Sequence, residues 1–420
     1  MPANLPMLCG YRVLDITQFV AGPTCTRVLA EMGAEVIKLE LGPHGDRSRG
    51  SGLKPRDPRY KDSSQSTYFF QHNHSKRSLA LDLKSERARE IVRRLAGRVD
   101  VVVENFSPGV MARAGLSYER LRETNSGLIM CSISMAGQSG PLSGLLGYDY
   151  MAAAYAGVTS TVGEADLPPA QLTVAMGDSY TGIAGAMAIG FALLHRERTG
   201  EGQYIESTLI DSYFHMQEVN VPRVSLLGDA FVPRRAGSLH PDGGPTGVFR
   251  YRDSEYVSLM VLPHQWPQFV RALGRPELAD DDRFKSPKAR RENSETLRVI
   301  IEGWLSQLPS RDAALAALAA ERVPCAPVLT LNEAMALAHV RERGTVRRVR
   351  DRHIGEFDIP GLPVRFSRWS THGDLRADLL GEHNEEVLRQ VGGLSDAEIT
   401  NLYESKVLVR DPLVGVARAQ

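Results

Sequence analysis

The sequence is poor in cysteine: Cys9, Cys25, Cys131 and Cys325 are the only ones in 420 residues, and none forms a C-x-x-C pair. Such spacing supports neither a disulfide framework nor a structural zinc site, and it suits a reducing, cytoplasmic setting. Net charge is also missing, with 50 Lys and Arg standing against 50 Asp and Glu. A chain without a basic field is a poor partner for nucleic acid or an anionic membrane. No apolar run is long enough to span a bilayer, and residues 1–6 lack the basic and apolar regions of a signal peptide. Absent, too, is the G-x-G-x-x-G fingerprint, since the turn after the first strand reads Gln18-Phe19-Val20-Ala21-Gly22-Pro23. Without those glycines a pyrophosphate cannot approach the backbone in the usual manner, which disfavours a nicotinamide dehydrogenase even though Glu40 stands where a ribose-binding acid would.

What is present is an ordinary globular composition, 42% apolar and 24% charged. Its length exceeds the ~250–300 residues at which a single core stops growing, so two domains are expected. Strands at 11–17, 35–40, 78–83, 100–104 and 128–134 alternate with helices at 23–32, 86–95 and 118–122. Several strands are unbroken Val, Ile and Leu runs, the mark of a parallel sheet covered on both faces. A small-residue helical region follows from 149 to about 194, and a strand at 204–209 closes the pattern. Residues 222–246 are rich in Pro and Gly and read as a loop. Beyond it a hairpin about Arg252-Asp253-Ser254 and helices at 266–273, 296–305 and 313–320 suggest a smaller α+β domain, with Trp266 and Trp304 in its core. Strand-like segments at 346–350 and 362–366 and a last helix with the capping box Ser395-x-x-Glu398 complete the chain. The expected division is 1–221, 222–330 and 331–420, the first and last parts forming one large domain.

Asp178 is the residue of most chemical interest. It lies in Ala175-Met176-Gly177-Asp178-Ser179, where an apolar run ends and a helix of small and apolar residues begins. That helix, 183–194, is expected to be buried, with the carboxylate held at its N-terminus by backbone N–H groups and the dipole; an ordinary N-cap reads the same way. In a doubly wound sheet the segments 18–21, 81–84, 104–109 and 135–140 would share one crevice at the carboxyl ends of the strands. Asn105 offers an amide there, Phe106 a ring, and Arg113 a charge for a phosphate. His72-Asn73-His74 has no further ligand at metal spacing and reads as a loop.

Taken together, Leu14-Asp15-Ile16-Thr17, the run from Leu29 to Glu40, Asn73 with Lys76-Arg77-Ser78, Val103-Glu104-Asn105-Phe106, Gly177-Asp178 and Leu380-Gly381-Glu382-His383 resemble the class III coenzyme A transferases, which include formyl-CoA and carnitine CoA-transferases. The resemblance runs in order along nearly the whole chain. It implies a Rossmann-like large domain built from both ends of the chain, a smaller domain between, and two chains interlocked as rings in a homodimer. It implies Asp178 as the nucleophile that attacks an acyl-CoA thioester, giving an acyl-aspartyl anhydride, then an aspartyl-CoA thioester, from which an acceptor carboxylate collects CoA. Matching positions place coenzyme A against Val20, Ala21, Leu81, Lys84, Asn105, Phe106, Arg113 and Tyr148, and make Gly243 and Gly244 a lid. Coenzyme A is then a co-substrate; no metal and no permanently bound cofactor are expected, and the partners are an acyl-CoA and a carboxylic acid. Gln18 and Leu41 depart from the formyl-CoA enzyme, which has His and Arg there.

The chemistry suits an acid, because exchanging one carboxylate for another at a thioester needs no redox step. The acid must be ionised, so N–H donors are expected to offset its burial. Two further readings remain. The family includes 2-methylacyl-CoA racemases, which pair the acid with a His; this chain has Tyr148 in that position, and a phenol with a pKa of about 10 is a poor base. The other is an acyl-CoA binding protein without chemistry. Arg234, Arg235 and His240 are candidates to hold a second carboxylate of a dicarboxylic acceptor, or are solvated loop charges.

Overall fold

The computed structural model describes residues 5–242, 244–369 and 375–415. Its chain forms two compact units, one from the described parts of Met1–Ala156, Thr173–Glu218 and Arg341–Gln420, the other from Gly157–Leu172 and Val219–Val340. Residues 157–172, expected in the first unit, associate with the second because the Gly163 carbonyl accepts from Gly237 N (3.1 Å) and the Glu164 carbonyl from Arg235 Nε (3.0 Å).

The first unit is an α/β fold around a six-stranded parallel sheet. Its strands are β1 (Arg12–Ile16), β2 (Glu35–Leu41), β3 (Arg77–Leu81), β4 (Val101–Glu104), β5 (Ile129–Ser134) and β6 (Tyr204–Thr208), in the order β3-β2-β1-β4-β5-β6. The order reverses between β1 and β4, the switch point beside which folds of this kind seat their ligands. Val101, Val102 and Val103 are fully buried, as a strand covered on both faces requires. Helices α1 (Ala21–Glu31), α2 (Thr67–Asn73), α3 (Glu86–Ala96), α4 (Val110–Arg113), α5 (Tyr118–Arg122), α6 (Asp149–Tyr155), α7 (Met176–Thr199) and α8 (Leu209–Met216) cover and edge the sheet. The small-residue region is therefore two helices with an irregular stretch between them.

Helix α7 packs against α1 at close range. A Cβ on Gly182 would come within 2.4 Å of the Ala21 carbonyl oxygen and 2.8 Å of Thr24 Cβ, so only glycine allows the two backbones to approach this way. The helix is not buried all round, contrary to its composition. Ile183, Met187, Phe191 and Leu194 are 41, 57, 65 and 50% exposed, and their spacing of four, four and three residues puts them on one face. Burial on the opposite side goes to the small residues, Gly182, Gly185, Ala186, Ile189 and Ala192.

In the second unit β7 (Thr246–Arg252), β8 (Glu255–Met260) and β9 (Cys325–Pro327) form an antiparallel sheet over helices that bury Phe249, Trp266, Phe269, Phe284, Leu297 and Ile301, with Trp304 packed at the edge. Residues 222–246 are not all loop: a helix spans Asn220–Leu227, and Pro222 is tolerated there because it falls in the first turn, where N–H groups have no intrahelical partner. In the first unit's C-terminal part β10 (Val346–Asp351) pairs with β11 (Gly355–Pro360); residues 362–366 form no strand, Pro360 having already ended the pairing. The capping box at Ser395 and Glu398 is formed as expected.

Candidate active site

The turn from β1 into α1 is held by a buried ionic cluster whose members are the residues that carried the family resemblance. Asp15 Oδ1 accepts from Thr17 N (2.9 Å) and Thr17 Oγ1 (2.6 Å), and its Oδ2 accepts from Thr26 Oγ1 (2.6 Å) and Lys76 Nζ (3.0 Å). Lys76 Nζ also donates to Asn73 Oδ1 (2.9 Å) and the Pro23 carbonyl (3.1 Å). Lys38 pairs with Asp46 (3.0 Å) and donates to the Thr17 carbonyl. Burial opposes every one of these charges. Lys38 and Lys76 nonetheless hold Asp15 well below the usual carboxylate range, while burial, resisted by Asp15, brings Lys76 down to about 8. Glu40 is used in the same way: Arg49 Nε (2.6 Å) and Nη2 (2.8 Å), Ser78 Oγ (2.6 Å) and Asp46 N (3.0 Å) all bond to its carboxylate, leaving none of it for a ribose. His72 is part of this packing, at the end of buried α2 and not in a loop, and burial holds it neutral with its pKa pushed down to about 3.

The outcome is a rigid turn with one strained residue. Phe19 has φ 67°, a left-handed conformation unusual for an aromatic, and its N–H donates to Asp46 Oδ1 (3.2 Å). Across the switch point, Asn105 Oδ1 accepts from Gln18 N (2.8 Å) and Asn105 Nδ2 donates to the Gln18 carbonyl (2.8 Å). Asn105 thus spends its amide tying the β1 and β4 loops together. The β4 loop is shaped in turn by buried Glu104, which accepts from Phe106 N (2.8 Å) and whose pKa burial pushes up to about 7.

The expected coenzyme A positions fall into three groups. Val20 and Ala21 follow Gln18, which Asn105 holds across the switch point, Phe106 packs against the core around Leu14 and Ile37, and Tyr148 is edge-on to Phe19 at 5.9 Å. Lys84, on the loop after β3, and Arg113, the last residue of α4, are exposed cations. Leu81 is fully buried in the core and its carbonyl is taken by Gly42 N (2.9 Å), so it presents no surface. Gly243 lies outside the described residues. Gly244 accepts from Arg290 Nε (2.7 Å), and 246–247 already belong to β7. Arg235 is occupied by the carbonyls of the 160–165 loop, whereas Arg234 and His240 are exposed.

Asp178 is the third residue of α7, inside its first turn and not its N-cap, which is Ala175. No hydrogen bond lowers its pKa as expected: burial, followed by the charge of Asp149, pushes it up to about 7. The sequence reading also missed the residues beside it. Asp149 Oδ1 accepts from Tyr213 Oη, and Tyr213 Oη in turn accepts from Gly177 N (3.2 Å). Asp149 was in view as the neighbour of Tyr148; Tyr213, far along the chain on α8, gave no signal. Among the described residues no three His, Cys, Asp or Glu side chains are placed to hold a metal ion, and no helix is long and apolar enough to cross a membrane.

The first unit is thus a doubly wound α/β fold that holds a half-buried acid with a raised pKa, Asp178, one helical turn from the Gly182–Ala21 contact at the start of α1. Residues 8–384 match CoA-transferase family III. The chain belongs to that family and is an enzyme of its class. It is 36% identical to the formyl-CoA:oxalate CoA-transferase of Streptomyces coelicolor over 95% of this chain and 98% of that one. Identity to the succinyl-CoA:mesaconate CoA-transferase of Haloarcula hispanica is 36%, covering 91% and 95%, and to the succinate–glutarate CoA-transferase of Agrobacterium fabrum 34%, covering 93% and 97%. Among solved structures it resembles a CAIB/BAIF family protein from Brucella suis, with a TM-score of 0.78 at 33% identity over 92% of this chain and 99% of that one. Rv3272 from Mycobacterium tuberculosis gives 0.79 at 29% identity over 91% and 99%.

Proposed function

We propose that the protein moves coenzyme A from an acyl-CoA to a carboxylic acid through covalent intermediates on Asp178. The observation that carries this reading is the state of that side chain: a half-buried carboxylate in the first turn of α7 whose pKa burial and the neighbouring Asp149 push up to about 7. A carboxylate so destabilised is more basic, and therefore more nucleophilic when ionised, than one held by donors.

The steps follow from its chemistry. Asp178 attacks the thioester carbonyl, the C–S bond breaks, and CoA leaves as a thiolate with the acyl group now in an anhydride. The thiolate attacks the aspartyl carbonyl of that anhydride and releases the donor acid. An acceptor carboxylate then attacks the aspartyl-CoA thioester, and the thiolate returns to the acceptor's carbonyl, regenerating Asp178. Val20, Ala21 and Phe106 wall the pantetheine path, while Lys84 and Arg113 meet phosphates as exposed cations. Oxalate, mesaconate and glutarate, named for the relatives, are all dicarboxylates, so the acceptor class is a small dicarboxylic acid. The enzyme works in the cytoplasm as an interlocked homodimer, and the exposed apolar face of α7 supports that assembly.

The test is transfer from formyl-, acetyl- and succinyl-CoA to a panel of mono- and dicarboxylates, with wild type and Asp178→Asn side by side. Transfer by wild type and its loss in the variant are expected. Transfer that survives in Asp178→Asn rejects the reading.

A further inference from the structure

Asp178 does not carry its charge alone. Asp149, at the start of α6, is 4% exposed; its Oδ1 accepts from the Tyr213 hydroxyl at 2.5 Å and its Oδ2 is buried without a hydrogen-bond partner. The carboxylate lies directly on Gly177, the residue before Asp178: a Cβ there would meet Asp149 Oδ1 at 2.4 Å and the Tyr213 ring at 2.4 Å. Tyr213 is 2% exposed, and its oxygen also takes the Gly177 N–H, one of the first-turn donors of α7. One phenol oxygen therefore fixes both the second carboxylate and the backbone that carries the first.

We propose that Tyr213 is a positioning residue for the transfer reaction: it holds the Asp149 carboxylate against Gly177, so that attack by Asp178 on the thioester carries negative charge away from Asp149. The inference rests on Asp178 being the nucleophile. The physical argument is that the charge of Asp149, held beside Asp178, adds to burial in pushing the Asp178 carboxyl up. When Asp178 is ionised the two like charges repel, and the attack relieves that repulsion as charge passes to the thioester oxygen and then to the thiolate. No cation offsets the pair. Facing Asp178 are Asp149 from α6, Tyr213 from α8 and Tyr68 from α2, with Tyr150 beside Tyr68; His215 of α8 packs on Tyr180, and α1 brings Cys25 near Gly185, further along α7. Among the described residues neither Asp149 nor Asp178 forms a salt bridge, as expected of a pair kept in repulsion.

The test follows the pH dependence of kcat/KM and of Asp178 acylation by succinyl-CoA in Tyr213→Phe, Asp149→Asn and the double variant. Loss of the phenol releases the Asp149 carboxylate from Gly177, and asparagine removes its charge, so in each variant the acid limb moves to lower pH. The plateau is expected to fall about tenfold to a hundredfold, the range of a reacting group slightly misplaced and made less basic. Tyr213 acts on the limb through Asp149, so adding Tyr213→Phe to Asp149→Asn moves the limb no further, while the plateau falls again because the Gly177 N–H loses its acceptor. A limb that stays in place in Tyr213→Phe, or limb shifts that add in the double variant, overturns the inference, as does an unmoved limb in Asp149→Asn alone should Tyr213→Phe not fold. Acylation of wild type at a residue other than Asp178 overturns instead the reading on which the inference rests.

Discussion

Replacing Gly182 by alanine tests whether the α1–α7 contact positions the nucleophile. The new methyl would lie 2.4 Å from the Ala21 carbonyl oxygen and 2.8 Å from Thr24 Cβ. Ordinary carbon–oxygen contact needs about 3.4 Å, so the helices must part by roughly an ångström or the side chain must distort its surroundings. Overpacking of this kind typically costs about 1–3 kcal/mol. Displacement matters more than stability here, because residue 182 is one turn along the helix from Asp178 and its contact, Ala21, belongs to the loop expected to seat coenzyme A. An ångström of misplacement in a reacting pair can cost about a hundredfold in rate. Gly182→Ala is therefore expected to lower the urea midpoint moderately and kcat/KM disproportionately, while Gly190→Ala, whose methyl meets nothing within 4 Å, changes neither. The assays are urea unfolding and steady-state transfer on the same preparations. Wild-type stability and activity in Gly182→Ala would refute the claim that this close approach sets the site.

Three further outcomes follow from the same geometry. Because Asp178 must be ionised and its pKa is raised to about 7, kcat/KM should fall with decreasing pH below about 7 and not near 4, measured from pH 5 to 9; this group's contribution to stability runs the other way, declining as pH rises from the ordinary carboxylate range to about 7, since the folded state retains a proton the unfolded chain has released. Lys76→Met leaves Asp15 buried with only Lys38 near it and should cost about 3 kcal/mol in urea unfolding, breaking a buried pair being worth roughly 3–5. If the exposed apolar face of α7 is covered in the proposed homodimer, Phe191→Asp, which places a charge there, should lower the mass seen by light scattering, whereas on a free surface the same substitution would leave the mass unchanged.

The sheet's strands were legible because each is a short Val-, Ile- or Leu-rich run bounded by turn residues, and that pattern survives folding nearly unchanged. Strand order was not, since periodicity reports which face is buried and says nothing of neighbours; only the ordered motifs pointed to the topology. Those motifs proved to be mainly architectural. Asp15, Lys38, Glu40, Asn73 and Lys76 are consumed in the buried cluster that fixes the β1 turn, and Asn105 ties two loops together. The environment of Asp178 was misjudged for a definite reason: helix propensity located the N-terminus, but the donors expected to stabilise the acid are replaced by a second acid and a phenol from α6 and α8. Contacts between residues 64 positions apart, such as Tyr213 and Asp149, leave no local trace in a sequence. The exposed stripe on α7 was hidden likewise, because an all-apolar helix reads as buried whether its own chain or a second one covers it.

The most direct measurement traps the enzyme's covalent state. Incubated with succinyl-CoA and quenched with hydroxylamine, the protein should carry one hydroxamate, located by fragmentation mass spectrometry after chymotrypsin, because trypsin leaves Asp149 and Asp178 together on residues 123–196. Modification at Asp178, absent in Asp178→Asn, is the predicted result. An unmodified Asp178 in enzyme that is turning over would contradict the account.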